Sequence, residues 1–151
     1  MGRDKPSSSA MHRTLLITAF LFLLNAALSL AGGLLIGKGD PREVFDDIQQ
    51  GIAAGNVSLF SSHFHTQVHV TLRGGESGLY SANQAYYLLQ NYFRDRKPAS
   101  FAFTTFGESD TNPYATGSLA FNMRGSRGHA QVYAALSHNG ERWVVTHMNI
   151  Y

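Results

Sequence analysis

The most constraining feature of this chain is a change in the spacing of its apolar residues near Pro98. Over most of residues 41–97 they recur every three or four positions, whereas from Ala99 onward they alternate with polar residues. The first spacing is typical of amphipathic helices and the second of half-buried strands. A run of helices followed by a run of antiparallel strands predicts an α+β fold.

The first predicted helix has a clear start and a clear stop. Asp40 is a suitable N-cap, Pro41 suits the first helical position, and Glu43 follows at the third. Gly55 suits a left-handed cap, so we expect the helix to end near Ala54. The apolar stripe of this helix consists of Val44, Phe45, Ile48 and Ile52.

Shorter signals follow the first helix. Asn56 predicts a cap on a short second helix, and residues 66–73 alternate as a half-buried strand. Ser81 and Gln84 have the spacing of a capping box, which predicts that another helix begins there and covers residues 82–96.

Four strands in a meander are predicted after Pro98. The Asn139-Gly140 pair is a strong hairpin signal because both residues tolerate positive φ. We expect the helices and the sheet to form one domain over residues 41–151, with the helices on one face of the sheet. The predicted strands begin at Ala99 and then cover residues 114–123, 129–136 and 142–151.

Residues 1–31 predict export. Basic residues precede an uncharged apolar stretch, and Ser29 and Ala31 provide a small-x-small site for cleavage of a signal peptide after Ala31. The alternative is an uncleaved membrane anchor, because residues 14–36 are long enough to cross a bilayer. Either interpretation places the remaining chain outside the cytoplasm, in the periplasm or secreted, with residues 32–40 as a linker.

The charge balance argues against nucleic-acid binding. The whole chain has a formal net charge of +2, and removal of residues 1–31 leaves nine basic and nine acidic residues. A neutral domain lacks the basic surface that binds phosphate backbones. The chain has no cysteine, which excludes thiolate metal sites and a cysteine nucleophile. No cofactor is indicated.

His63, His65 and His69 form the densest group of potential metal ligands or bases. On an extended strand His65 and His69 would lie roughly 13 Å apart, too far to bind one ion. We therefore expect exposed or pocket-rim histidines, and we assign neither a metal site nor a catalytic residue. Residues 94–97 are open to interpretation as an anion site, although such a charged run is more typical of a solvated helix end.

Short strings in the chain, together with the order of the elements, resemble a known superfamily. They are Val44-Phe45-Ile48, Phe60-Phe64, Tyr80 to Ala85, Tyr114 to Gly117, Gln131 to Tyr133 and Trp143 to Thr146. Residues 41–151 resemble the nuclear transport factor 2-like superfamily, also called cystatin-like cone folds. Within it, the chain is similar to small secreted bacterial families of unknown function.

The resemblance implies a strongly curved antiparallel sheet wrapped around N-terminal helices, with a pocket at its wide end. Members include isomerases, dehydratases, cyclases and non-catalytic binding modules, so the fold does not decide the function. Isomerases of this kind imply a tyrosine and two acids inside the cone, whereas this chain has no acid at an inward strand position. An enzyme remains an alternative and would rely on His69, His147 or Tyr86.

We expect an exported domain that binds a small apolar or amphipathic ligand, or an envelope partner, between helix 82–96 and the concave sheet. A non-catalytic interaction module is a further alternative. Outward-facing tyrosines such as Tyr114 and Tyr133 suggest a homodimer through the sheet. Membrane contact is expected only through residues 14–36. The candidate lining residues of the pocket are Phe60, Tyr86, Tyr92, Phe101, Phe103, Phe121 and Trp143.

Overall fold

The computed structural model describes residues 39–151. The predicted signal peptide or anchor, and most of the predicted linker, lie outside the described residues. No helix within residues 39–151 is long and apolar enough to span a membrane. The elements are α1 (Pro41–Ala54), two 3-10 turns (Val57–Leu59 and Ser61–His63), β1 (Phe64–Leu72), β2 (Ser77–Ser81), α2 (Ala82–Asp95), β3 (Lys97–Gly107), β4 (Tyr114–Met123), β5 (Ser126–His138) and β6 (Trp143–Ile150).

The described strands form one curved, unclosed sheet in the order β2-β1-β6-β5-β4-β3. The predicted meander of β3 to β6 is confirmed, since each of these strands pairs antiparallel with the next. β1 pairs in parallel with β6, so the first and the last strand of the described chain are neighbours in the sheet. The helices lie on one face, where α1 packs mainly against β3 and α2 against β1. The predicted α+β class is confirmed.

Helix α1 begins and ends where the sequence predicts. The Asp40 side chain accepts a 2.8 Å hydrogen bond from the backbone N–H of Arg42. Gly55 ends the helix with a φ of 64°, in the left-handed region that favours glycine. The buried stripe meets the sheet through Phe45, whose ring centroid lies 5.7 Å from that of Phe103 in an edge-to-face contact.

Helix α2 begins with the predicted capping box, in which Ser81 and Gln84 satisfy each other's backbone N–H groups. Gln90 then joins the two helices, because its side chain accepts from the N–H of Val57 and donates to the carbonyl of Gly55. The helix ends at Asp95 rather than at residue 96. Its buried residues are Ala85, Leu89, Tyr92 and Phe93.

Three local predictions need correction. The region after Asn56 forms two 3-10 turns instead of one short helix, although Asn56 caps the first of them as predicted, and Phe64 already belongs to β1. Pro98 lies inside β3, which tolerates a proline because it is an edge strand. Asn139 shapes its turn through its side chain, which accepts from two backbone N–H groups, while Gly140 alone of the pair has a positive φ.

Candidate ligand-binding site

Most of the predicted pocket residues fill the core. Phe60 is fully buried between the helices and the sheet, and Trp143 donates its indole N–H to the carbonyl of Gly39 at 2.6 Å. Tyr86 is half-buried on α2, with its hydroxyl 3.2 Å from that of Ser58. The other residues of the predicted set that belong to the continuous core are Tyr92, Phe101, Phe103 and Phe121.

Tyr92 and Phe121 also line an open cavity of about 430 Å³. The cavity lies between the end of α2, the turn after β1 and the β4–β5 hairpin. It is therefore at one end of the region predicted for the pocket, between helix 82–96 and the sheet. The remaining lining residues are Arg73, Gly74, Arg96, Met123, Ser126, Arg127, Gly128 and His129.

The β4–β5 hairpin forms one wall of this cavity. Residues 126–130 of β5 pair with β4. The matching end of β4 carries Phe121 opposite Gly128. A Cβ atom on residue 128 would lie 2.5 Å from the Phe121 ring. Glycine at this position therefore allows the ring to lie across the hairpin and form an apolar wall.

The charged side of the cavity is basic. Arg73, Arg96 and Arg127 line it together with His129, and none of the lining residues among residues 39–151 carries a carboxylate. The guanidinium carbon of Arg96 lies 4.4 Å from the centroid of the Tyr92 ring, a cation–π contact. Burial raises the pKa of Tyr92, while the nearby charges of Arg96 and Arg73 act in the opposite direction.

One of several other cavities among the described residues, of about 350 Å³, lies near the start of α1. Its arginine, Arg42, is already neutralised, because a guanidinium nitrogen lies 3.5 Å from a carboxylate oxygen of Glu108. The Arg42 guanidinium carbon also lies 4.0 Å from the centroid of the Phe106 ring. Among the described residues that line this cavity, the one arginine is therefore already paired.

The three neighbouring histidines do not converge. His63 contacts the Asp47 carboxylate at 2.8 Å, and His65 lies 3.2 Å from the carbonyl of Gln67. His69 faces the opposite side of the sheet from the helices, beside His147. No group of three potential metal ligands is found within residues 39–151.

The residues considered for catalysis lie away from the basic cavity. His69 and His147 face each other across the β1–β6 pair with ring centroids 5.5 Å apart. Partial burial lowers the pKa of His147, and the neighbouring His69 lowers it further. Tyr86 lies on α2 beside Ser58. None of these three residues lines the cavity.

The sheet face opposite the helices is partly aromatic. Tyr114 and Tyr133 stack with ring centroids 5.6 Å apart, and Tyr114 is 39 % exposed. Asn149 on the same face is buried, and its side-chain oxygen has no hydrogen-bond partner in the described part of the chain. This surface, which we call the outer face, is defined by His69, Tyr114, Tyr133, Ala135, His147 and Asn149.

The sequence did not identify two of the arginines in the cavity. Arg73 directly follows β1 and Arg127 lies in the β4–β5 hairpin, each next to glycines that mark a turn. In the sequence, Arg73 ends one predicted strand and Arg127 lies just before another. Whether these two ends lie close together depends on the order of the strands in the sheet, which the sequence did not give. Arg96 belongs to the run 94–97 for which an anion site was one of the two interpretations.

A family model described as a domain of unknown function, DUF4783, matches residues 45–151. A DUF4783 protein from Bacteroides ovatus is 18% identical, with a TM-score of 0.64 over 76% of this chain and 96% of that chain. Another, from Bacteroides uniformis, is 16% identical, with a TM-score of 0.63 over 70% of this chain and 93% of that one.

The same fold occurs outside that family. A nuclear transport factor 2-like protein from Burkholderia thailandensis is 12% identical, with a TM-score of 0.57 over 75% of this chain and 90% of that chain. At these identities the similarity establishes the fold alone, and it confirms the predicted nuclear transport factor 2-like fold. No curated protein matches the sequence.

Proposed function

Since the chain belongs to the DUF4783 family and has the nuclear transport factor 2-like fold, we propose that it is an exported binding domain for a small amphipathic molecule. The observation that carries this proposal is the open cavity of about 430 Å³ at the end of α2. Its volume lies within the range of roughly 300–1,000 Å³ that is usual for small-molecule sites.

The lining of the cavity supports this function. Tyr92, Phe121 and Met123 provide apolar surface, and the polar groups of the lining include Arg73, Arg96, Arg127 and His129. Sites for small molecules commonly combine an apolar wall with a few polar groups that orient the ligand. The core beside the cavity is filled by buried aromatic residues, so a ligand can occupy this end of the domain without displacing them.

Export is the second part of the proposal. The basic start and the apolar stretch of residues 1–31 support a signal peptide. An anchor over residues 14–36 is the alternative form, and both deliver the binding domain to the periplasm or the exterior. The intact mass of the protein from its own cells distinguishes them, because cleavage after Ala31 removes 31 residues.

Native mass spectrometry of the protein purified from its own cell envelope tests the binding. We expect a small-molecule adduct that survives desolvation. Met123→Trp should remove the adduct, because Met123 is 38 % exposed and a larger side chain there fills the cavity without entering the core. Leu79→Trp, at another exposed position, is the matched control and should retain it. A wild-type protein that carries no adduct and binds no added amphiphile contradicts the proposal.

The outer face favours a second function, as an interaction surface for a second copy of this chain. The stacked pair of Tyr114, which is exposed, and Tyr133 supports it, as does the buried Asn149 amide oxygen, which has no partner within residues 39–151. We expect a dimer in sedimentation experiments, which Tyr114→Arg should dissociate. Tyr87→Arg changes an exposed tyrosine on α2 and should leave the dimer intact. A wild-type monomer at high protein concentration contradicts this second function.

A further inference from the structure

We infer that the molecule bound in the basic cavity carries an anionic group, a carboxylate or a phosphate ester, which Arg73, Arg96 and Arg127 bind. This inference rests on the proposed function and specifies its ligand class. The inference specifies the orientation of the ligand in the cavity as well as its charge. The anionic group lies against the arginines, and the apolar part lies against Phe121 and Met123.

Three separate parts of the fold bring these arginines together. Arg73 follows β1, Arg96 follows α2, and Arg127 lies near the start of β5. All three line the same cavity. Like charges that share one cavity repel one another, although water screens this repulsion where Arg73 and Arg127 are exposed. An anion between them removes that repulsion and gains charge-assisted hydrogen bonds.

No carboxylate within residues 39–151 neutralises this group. The arginine ion pairs in this part of the chain are Arg42 with Glu108 and Arg94 with Asp95. The contrast with Arg42 is informative, because that arginine also lines a cavity but is paired. The arginines of the basic cavity therefore keep their hydrogen-bond donors for a ligand.

Tyr92 orients one of the charged groups, the guanidinium of Arg96. Its ring holds the Arg96 guanidinium at 4.4 Å, which limits the positions that this long side chain adopts. Burial raises the pKa of Tyr92, so the hydroxyl stays protonated near neutral pH and can donate a hydrogen bond. The carbonyl end of α2 contributes a partial negative charge, but each full arginine charge exceeds the half charge of a helix dipole.

The apolar wall distinguishes the proposed ligand from a simple ion. Phe121 and Met123 lie on the same cavity as the arginines, and inorganic phosphate would leave them uncovered. The planar guanidinium group suits both carboxylates and phosphates. An amphipathic acid, either free or presented as the headgroup of a lipid, satisfies both sides of the cavity.

Calorimetric titration with matched octyl compounds tests the inference. We expect octyl phosphate and octanoate to bind about tenfold more tightly than the uncharged octyl glucoside at low salt. Inorganic phosphate should bind more weakly than octyl phosphate. Arg96→Gln and Arg127→Gln should each lower the affinity for the anionic compounds by about tenfold. Affinity for octyl glucoside should change little. Arg142→Gln, at an exposed turn, should leave all the affinities unchanged.

The outcomes separate this inference from the proposed function. If charged and uncharged compounds bind with equal affinity, and the arginine variants do not change it, then the ligand needs no anionic group and this inference is wrong. The proposed binding function would still hold. Failure of every octyl compound to bind contradicts the binding function itself. If inorganic phosphate binds as tightly as octyl phosphate, the apolar part contributes nothing to binding and the claim of an amphipathic ligand is wrong. Arg73→Gln provides a further variant if either of the other two fails to fold by circular dichroism.

Vesicles distinguish the two sources of the anion. Binding of free octyl phosphate without binding to phosphatidylglycerol vesicles supports a soluble ligand. Binding to phosphatidylglycerol vesicles but not to phosphatidylcholine vesicles, with loss in Arg127→Gln, supports a lipid headgroup. Both results require the same cavity. Vesicle binding that persists in the arginine variants would contradict the proposal that the basic cavity binds a lipid headgroup.

Discussion

The side-chain oxygen of Gln49 on α1 accepts a 2.8 Å hydrogen bond from the backbone N–H of Phe103 on β3. β3 is an edge strand whose register with β4 shifts between Phe103 and Thr105. Since the bond lies in a part-buried region, its loss leaves a backbone donor without a partner. The contact therefore covers one edge of the sheet with the helix and fixes α1 above Phe103.

Replacement of Gln49 by leucine should lower the free energy of unfolding by about 1–3 kcal/mol, because the Phe103 N–H then has neither a protein partner nor full access to water. Urea denaturation measures this change. Gln50→Leu is the matched control, since Gln50 is exposed on the same helix. A similar loss in both variants would show that the cost comes from the leucine and not from the hydrogen bond.

Gly51→Ala should destabilise the protein although alanine favours helices. A Cβ atom at residue 51 would lie 2.3 Å from Cδ1 of Phe60 and 2.9 Å from the Asn56 carbonyl oxygen. Overpacking of this kind costs typically about 1–3 kcal/mol. Gly75→Ala is the control, because its nearest neighbour lies at 3.6 Å. A double-mutant cycle with Phe60→Leu should reveal coupling, and strict additivity would contradict the proposed clash.

Stability should fall in weak acid through His147. Burial and the neighbouring His69 hold the pKa of His147 below 6.5, so the unfolded state takes up its proton first as the pH falls. The contribution of His147 to the free energy of unfolding is constant at higher pH. It is lost as the pH falls through 6.5 towards the lower folded-state pKa. His147→Gln should reduce the difference in unfolding free energy between pH 7.5 and pH 5.5.

The effect at His147 should be a fraction of a kcal/mol, because the ring is exposed enough for water to screen it. His129→Gln serves as the control, since His129 is an exposed histidine on β5. An unchanged pH dependence in His147→Gln would assign the acid sensitivity to other groups.

Ser81→Ala should cost about 0.5–2 kcal/mol of stability, because it removes the side-chain acceptor for the Gln84 N–H at the start of α2. Gln84→Ala removes the reciprocal bond to the Ser81 N–H. The two losses should be less than additive in the double variant, since either change alone breaks the reciprocal arrangement. Thermal denaturation measures all three variants, and Ser100→Ala, at an exposed strand position, should be nearly neutral.

The local structure was largely predictable. Asp40 and Gly55 mark the ends of α1, and the alternation of residues 114–123 matches the bounds of β4. These signals involve residues within a few positions of one another, so their physics does not depend on the rest of the fold. After Asn56 the same reasoning was right about the cap but wrong about the extent of the helix, since packing of Phe60 and Phe64 against each other accompanies two tight turns instead of one helix.

The site was predictable only in part. Tyr92 and Phe121 were selected for their aromatic side chains, and the structure places both on the cavity. The other aromatic candidates pack mainly in the core, because periodicity identifies an inward-facing residue but not the space that remains in front of it. That space depends on how the end of α2, the turn after β1 and the β4–β5 hairpin pack together, which hydrophobic periodicity does not specify.

The sequence by itself determined the class of fold, the helix caps, the meander and the inward face of β1, since all of these follow from hydrophobic spacing and local hydrogen bonding. Only the tertiary structure decided that β1 lies beside β6, which places His69 against His147. It also decided that Arg73 and Arg127 meet at one cavity. Such contacts join residues far apart in the chain, and they depend on sheet order and register, which local interactions do not specify.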